Sequence, residues 1–556
     1  MAITQHTAPS QRILSLIALE KDDILTVSIL TFGIGLLSLA SPLAVQTLIN
    51  IVTMGGVLQP LIVVSFILFA LLCLSGSLYI LEYYVVERIQ RRVFVRSALD
   101  VTLSARNMSL QVHDQQNSVE LINRFFDVAT IQKTTYLLLT NGLAAVMQLL
   151  IGSFVLMFYS FFFAAVVIVM FAIAFFIVYV LGHHATKYAI AESYAKYHMV
   201  GWLETIAKNI HIFKFARGHE LAMQKTDALI TQYLTSRSLH FSLLLKQNIL
   251  AVLVYAIAGT VMLGIGGVLV MNGQLNLGQF VAAEFITFGV LSSFVSFVKK
   301  LETYYDMVAA IDKLGVLFDL PQDNNNAHSI ALTHPVKIKF DRVNFTYQSN
   351  QQVLKNLNFV IENGISTAFI GEYGSGKTTL SEILTGLRNP TDGYVMVNNV
   401  DLRQLQLSTL REQIGIANRV EILEDTILEN IRLHNTDINV SQVQTILSSL
   451  EMDEDIARLP QGLDTLLNVV GSPLSTVQAR LLMIARIVVM EPKLLVIDSL
   501  LDELDKTSQE LAIKLIFDKQ KPWTVVIFTR DIAIAKKCEQ LIYLDDAMQM
   551  NHRVTI

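Results

Sequence analysis

Charge is what this sequence has little of: only 16% of its 556 residues are Asp, Glu, Lys or Arg, whereas soluble domains carry about a quarter. Apolar residues make up 53% and the mean hydropathy is +0.49, so the expected class is a membrane protein of two to four domains. Cysteine is nearly absent. Cys73 lies in an apolar run and Cys538 in a distant polar region, which excludes a disulfide framework and leaves both as packing residues. There is no Lys/Arg-rich tract and the net charge is a modest −5, so nucleic acid is excluded as a partner. The stretch Met1 to Asp23 lacks the order of a cleaved signal peptide. Its apolar segment Ile13 to Leu19, between Arg12 and Glu20, reads instead as a short helix lying on a membrane surface.

Long uncharged runs are plentiful. Ile24 to Leu81 contains no charged residue, enough for two spans of about 20 residues and a turn, placed at Gly55-Gly56 and Pro60. The layout recurs from Thr134 to Thr186, broken near Tyr159-Ser160, and from Gln247 to Val298, broken at Asn272-Gly273. Three hairpins make six spans. Glu284 is the one acid inside them, and an ionisable group there is a candidate for substrate or proton handling, weighed against a position that water reaches from the nearby turn. The polar stretches Glu82 to Lys133 and Lys187 to Lys246 carry charges in helical rhythm. A helix from Glu82 to about Arg106 would run some 35 to 40 Å beyond the bilayer, at roughly 1.5 Å per residue. Arg88, Arg91, Arg92 and Arg96 crowd the first stretch while the hairpin tips lack Lys and Arg, which assigns the polar stretches and both termini to the cytosol. His183-His184, at the end of the fourth span, has no nearby carboxylate or Cys and reads as interfacial rather than as a metal site.

Leu320 to Asn326 is polar and turn-forming, and beyond it the pattern is that of a soluble α/β domain. Val336 to Phe340 and Thr367 to Ile370 read as strands. Directly after the second comes Gly371-Glu372-Tyr373-Gly374-Ser375-Gly376-Lys377-Thr378, a full phosphate-loop pattern in the strand-to-helix context it requires. Glycines let backbone N–H groups turn toward nucleotide phosphates, Lys377 supplies positive charge and Thr378 offers a hydroxyl to Mg²⁺. Leu494 to Asp498 is an apolar strand ending in an acid suited to a Mg²⁺ site, and the residues between leave room for a helical subdomain.

In this order of elements the chain resembles a half-transporter of the ATP-binding-cassette (ABC) exporter family over nearly its whole length. Phe345-Thr346-Tyr347 resembles the adenine-stacking segment, Gly471 to Gln478 stands in the place of the family signature and is followed by a helix from Ala479 to Arg486, and Leu501 to Asp505 stands in the place of the D-loop. The implied fold is an all-α six-helix transmembrane domain joined to an α/β P-loop cassette with a helical subdomain. The implied boundaries are a cytosolic N-terminus with an interfacial helix over 1–22, the transmembrane domain over 23–320, a linker over 321–335 and the cassette over 336–556. The resemblance further implies that Tyr347 stacks on adenine, that residues 371–378 and Thr379 hold the ATP phosphates, and that Thr378 and Asp498 hold Mg²⁺. Leu474, Ser475, Thr476, Val477 and Gln478 would form the signature, and Asp505 the D-loop acid. Family members work as dimers in which two cassettes sandwich two ATP molecules. A second half-transporter, identical or different, is therefore an implied partner, beside the lipid bilayer and, as the family admits, a membrane-fusion adaptor. The segments 117–130 and 202–215 would carry the coupling helices. The implied location is a cytoplasmic cell membrane, crossed repeatedly, with the cassette in the cytosol.

The departures cluster at hydrolysis. Ser499 stands where the glutamate that orients water belongs, and a neutral hydroxyl cannot serve as that base. Arg530 replaces the switch histidine, and Thr476-Val477 the paired glycines of the signature, adding bulk where a backbone should approach phosphate. The glutamine position falls near Arg419, in a segment, Ile414 to Ile427, that is one residue short. Asp502 and Glu503 are weaker candidates to replace the missing base. The expectation is a cassette that binds Mg·ATP and hydrolyses it slowly, in an export subunit whose cargo could equally be a lipid, hydrophobic drug, peptide or protein. The competing reading is a nucleotide-sensing regulatory or scaffold subunit that transports nothing.

Overall fold

Helices dominate the first half because uncharged runs this long can satisfy their backbone polar groups in a bilayer only internally. The computed structural model describes residues 9–53, 58–115, 118–215, 217–323, 336–347, 351–518, 520–521, 523–544 and, as backbone, 550–555. A short helix, α1 (Pro9–Leu19), precedes six helices long and apolar enough to cross a membrane. These are α2 (Lys21–Thr53), α3 (Leu58–Arg106), α4 (Leu121–Tyr159), α5 (Phe161–Lys208), α6 (Gly218–Met271) and α7 (Leu277–Phe318).

The expected hairpin breaks fall at Ser160, an extended residue whose side chain caps α5, and at Asn272-Gly273, where Gly273 takes φ +70°. The Gly55-Gly56 turn lies outside the described residues. Pro60 is not part of a turn: it is the third residue of α3, tolerated there because first-turn N–H groups have no intrahelical partner. Helix α2 is interrupted at Ser38-Leu39, since Pro42 has no N–H to give the Ser38 carbonyl. Arg106 does end α3.

Helix α7 is the hub of the membrane unit, with 56% of its most apolar window buried against none for α3. Small residues let neighbours approach it. A Cβ on Gly152 of α4 would come within 2.4 Å of Val290, and one on Gly266 of α6 within 2.6 Å of Phe280. A buried ion pair ties three helices together: Lys313 of α7 donates to Asp127 of α4 at 2.9 Å, and Tyr197 of α5 donates to the same carboxylate at 2.8 Å. In Glu284, Oε2 is buried with no hydrogen-bond partner among the described residues, so within one chain water does not reach that oxygen. Cys73 is exposed on α3 rather than packed.

The chain divides into two compact units, Met1–Met108 with Val112–Pro321, and Ser109–Gln111 with Gln322–Ile556. Of the segments expected to couple the halves, one contains a short helix Ser118–Asn123 and the start of the turn leading to Asp127, the other the helix Ile210–Lys214. The second unit holds two sheets. Strands β1 (Ile338–Thr346), β2 (Gln352–Ile361), β4 (Asp392–Val397) and β5 (Val400–Asp401) make one in the order β2-β1-β4-β5. Strands β3 (Ser366–Ile370), β6 (Ile414–Ala417), β7 (Leu494–Asp498), β8 (Thr524–Thr529), β9 (Gln540–Leu544) and β10 (Met550–Thr555) make the other, ordered β10-β9-β3-β8-β7-β6. Its central strands β3, β7 and β8 pair in parallel and are buried along their whole length, as a sheet covered on both faces requires. Their carboxyl ends are where such a sheet presents its ligand site.

Candidate functional site

The phosphate loop lies between β3 and helix α8 (Lys377–Leu384). Gly374 and Gly376 both take φ +84°, a region closed to most side chains. A Cβ on Gly371 would fall 2.3 Å from the Ser375 hydroxyl, so that position is closed to anything larger than glycine. Lys377 sits at the start of α8 and donates to the carbonyls of Gly371 and Glu372 at 2.6 and 2.7 Å. Burial lowers its pKa, helped by Arg530 and opposed by Asp498.

At the end of β7, Asp498 is buried and takes hydrogen bonds from the Thr378 and Ser499 hydroxyls, the latter at 3.1 Å. Burial raises its pKa, against the pull of those two hydroxyls and of Lys377. A hydroxyl and a carboxylate meeting beside a phosphate cradle form a hard oxygen donor set, which fits Mg²⁺. Ser499 itself has φ +60°, and its N–H bonds the Phe528 carbonyl at 2.9 Å. It is therefore fixed at the strand end with a neutral hydroxyl turned back onto Asp498.

A cleft of about 390 Å³ is lined by Tyr347, Tyr373, Lys377, Thr378, Ser499 and Arg530, among others. Tyr347 bonds Thr379 through its hydroxyl at 3.0 Å, has the Arg388 guanidinium 5.2 Å from its ring centre and meets the Phe345 ring edge-on at 4.9 Å. The Arg530 guanidinium lies 3.8 Å over the ring of Tyr373, a cation–π contact that bridges the end of β8 and the phosphate loop. Asp502 anchors this arrangement, accepting from the Thr529 hydroxyl and from the Arg530 N–H at 3.0 Å. Each of its two oxygens thus accepts one hydrogen bond at the end of β8. Glu503 borders the cleft but pairs with Arg480.

The signature segment is built differently from its sequence reading. Its helix, α9 (Thr476–Val489), starts at Thr476 rather than Ala479, because Ser475 and Gln478 form a reciprocal capping box. Thr476 and Val477 are therefore first-turn residues. Gln478 is further held by Asp455 at 2.7 Å, and Leu474 packs on the helical subdomain's core. Asp505 caps the helix Lys506–Ile516 through the Ser508 N–H at 3.1 Å.

Beside Asp498 a recess of about 190 Å³ is bordered by Thr378, Glu382, Asn418, Arg419 and Ser499. Arg419 is largely exposed and pairs with Glu421, whereas Asn418 is half-buried. Sequence reasoning missed Asn418. Since the segment is one residue short, counting from its far end lands on this carboxamide rather than on Arg419. Among the described residues no cluster of His, Cys, Asp and Glu could hold a metal by itself, and His183 makes a ring contact with His184, which in turn meets Tyr188.

Comparisons agree with this architecture. Residues 24–293 match the ABC transporter transmembrane region and residues 354–501 the ABC transporter family. An ABC transporter ATP-binding protein of Bacillus subtilis, YfiC, is 23% identical over 96% of this chain and 89% of its own length. An ATP-dependent lipid A-core flippase of Legionella pneumophila is 27% identical over 51% of this chain and 50% of its own. The alpha-hemolysin translocation ATP-binding protein HlyB of Escherichia coli O157:H7 is 26% identical over 51% and 40%. The chain thus spans about half the length, or less, of these last two proteins. A bacterial Atm1-family ABC exporter solved with ATP bound superposes with a TM-score of 0.85 at 19% identity, covering 97% of this chain and 96% of that one. This chain belongs to the ABC transporter family and has the exporter fold, a six-span transmembrane region fused to its cassette.

Proposed function

We propose that this chain is an export subunit that works as a dimer in a cytoplasmic membrane, binds Mg·ATP through its cytosolic cassette and hydrolyses it slowly. ATP binding rests on the glycine cradle, Lys377 and the aromatic Tyr347. Thr378 and Asp498 would hold Mg²⁺, which supplies charge neutralisation to the phosphates when bound, and the Asn418 carboxamide borders the same recess.

The observation that carries slow hydrolysis is the state of Ser499. Its hydroxyl donates to Asp498 and its backbone is pinned to β8, so no free base faces the cleft from that position. Absence of a general base costs about 10² to 10⁴-fold in rate. Export would then rely on closure driven by ATP binding, with reset by slow turnover or by a partner's cassette. The same observation also favours the sensing reading, in which ATP is a ligand that changes partner affinity.

The test is steady-state ATPase activity in lipid nanodiscs, with ATP binding measured alongside, for the wild type, Lys377→Ala and Ser499→Glu. The expected outcome is wild-type binding with turnover near that of Lys377→Ala, and a gain of at least about tenfold in Ser499→Glu. Turnover at an ordinary transporter rate, of order 1 s⁻¹ or more, would refute slow hydrolysis. An ATP-dependent outward-open state by spin-label distances favours export over sensing.

A further inference from the structure

Strand β8 lies between β3 and β7 and runs parallel to both. Arg530, which follows β8, therefore emerges between the phosphate loop after β3 and the pair Asp498-Ser499 at the end of β7. Its backbone is fixed there: its N–H donates to Asp502 at 3.0 Å, and the carbonyl of Phe528, two residues earlier, accepts from Ser499 at 2.9 Å. Arg530 and Lys377 line the same cleft. Burial is the main cause of the lowered pKa of Lys377, and the charge of Arg530 adds to it, so the two cations are near enough to repel and an anion between them would relieve both.

The Arg530 guanidinium is held in place while its donors stay unused. It lies 3.8 Å over the Tyr373 ring, and its Nε stands 3.8 Å from Asp502, beyond hydrogen-bond reach. Among the described residues its side chain makes no hydrogen bond, and 36% of it is exposed. Stacking occupies a face of the planar group and leaves its N–H edge able to donate. Tyr373 is 79% exposed, so its ring holds the guanidinium from the rim of the phosphate loop. In such a loop the backbone cradles the first two phosphates and the lysine reaches toward the last. A second cation, on the Asp498 side of Lys377, meets the terminal phosphate.

We propose that Arg530 is a specificity residue, positioned by its stack on Tyr373, that grips the terminal phosphate of a bound nucleoside triphosphate and makes the cleft prefer triphosphate to diphosphate. The inference rests on the proposed ATP binding at this cleft and is independent of slow turnover. It gives Arg530 a role in ground-state binding, where the sequence marked only a departure from the machinery of hydrolysis. Beside the neutral Ser499, such a grip favours a cassette that retains ATP rather than cleaving it.

The full chain in lipid nanodiscs is titrated by calorimetry with Mg²⁺ and either ADP or the non-hydrolysable triphosphate AMP-PNP, so that turnover does not enter. Arg530→Ala should weaken AMP-PNP binding about ten- to a hundredfold, the worth of a charge-assisted hydrogen bond, and leave ADP binding nearly unchanged, which also shows that the variant is folded. If Arg530→Ala does not fold, Arg530→Gln, which keeps the stem and loses the charge, gives the same comparison. Tyr373→Leu should cost AMP-PNP alone about two- to fivefold, and Tyr373→Phe, which keeps the ring, should bind as the wild type does. Lys377→Ala should weaken both ligands. Equal weakening of both ligands in folded Arg530→Ala or Arg530→Gln, or no weakening of either, would overturn this inference and leave ATP binding standing. A wild type that binds neither ligand would overturn ATP binding and the inference together.

Discussion

At Ser499 a neutral hydroxyl stands where the family resemblance implies a glutamate, and the acids nearest to it are already engaged in hydrogen bonds and ion pairs. Asp502 spends its oxygens on Thr529 and Arg530, and Glu503 faces Arg480. Arg530 puts a permanent cation, stacked on Tyr373, where the family expects a titratable ring. Cys538 gives a separate prediction at this scale. It is buried, and burial pushes its thiol up to about 12, so a maleimide at pH 8 should leave Cys538 unlabelled in native protein. Labelling at Cys538 should appear on denaturation. The thiol ionises first in the unfolded chain, so raising the pH above about 9 favours unfolding. Rapid labelling of native Cys73→Ser protein would count against this burial. Ser499 and Arg530 were singled out through the family resemblance, but what their neighbours do was not legible, because those bonds join residues from separate strands.

Among the elements, α7 carries most of the packing of the membrane unit. Its ion pair with α4 is buried on both sides, Lys313 being 2% and Asp127 6% exposed, and Tyr197 serves the same carboxylate from α5. Removing one partner of a buried pair costs about 3–5 kcal/mol. Lys313→Ala should therefore lower the thermal unfolding midpoint markedly, whereas the double change Lys313→Met with Asp127→Leu should recover most of it. An unchanged midpoint in Lys313→Ala would show that water or lipid already screens the pair. The six spans were readable because hydrophobic run length reports them directly. Pro60 and the start of α9 were misread because a proline in a first turn and a capping box depend on where a helix begins, which composition leaves open by a few residues.

For the whole molecule, the proposed dimer would bring the phosphate loop of one cassette against the signature segment of another, from a second copy or a relative. In a Cys73→Ser background, with Cys538 buried, cysteines at Tyr373 and Ser475 should cross-link between copies with ATP and not without it. Failure under conditions where ATP binds would point to an obligatory second subunit. By itself the sequence determined the class: uncharged runs demand membrane helices, and a glycine-rich loop between strand and helix demands phosphate. Both follow from chemistry that is local along the chain. Only the tertiary structure decided that Asp502 accepts from Thr529 and Arg530, that Asn418 borders the Asp498 recess, and that Arg12 and Arg96 wall a cavity beneath α1. Those facts depend on residues brought together from distant positions, where burial and geometry, rather than residue type, determine what a side chain can do.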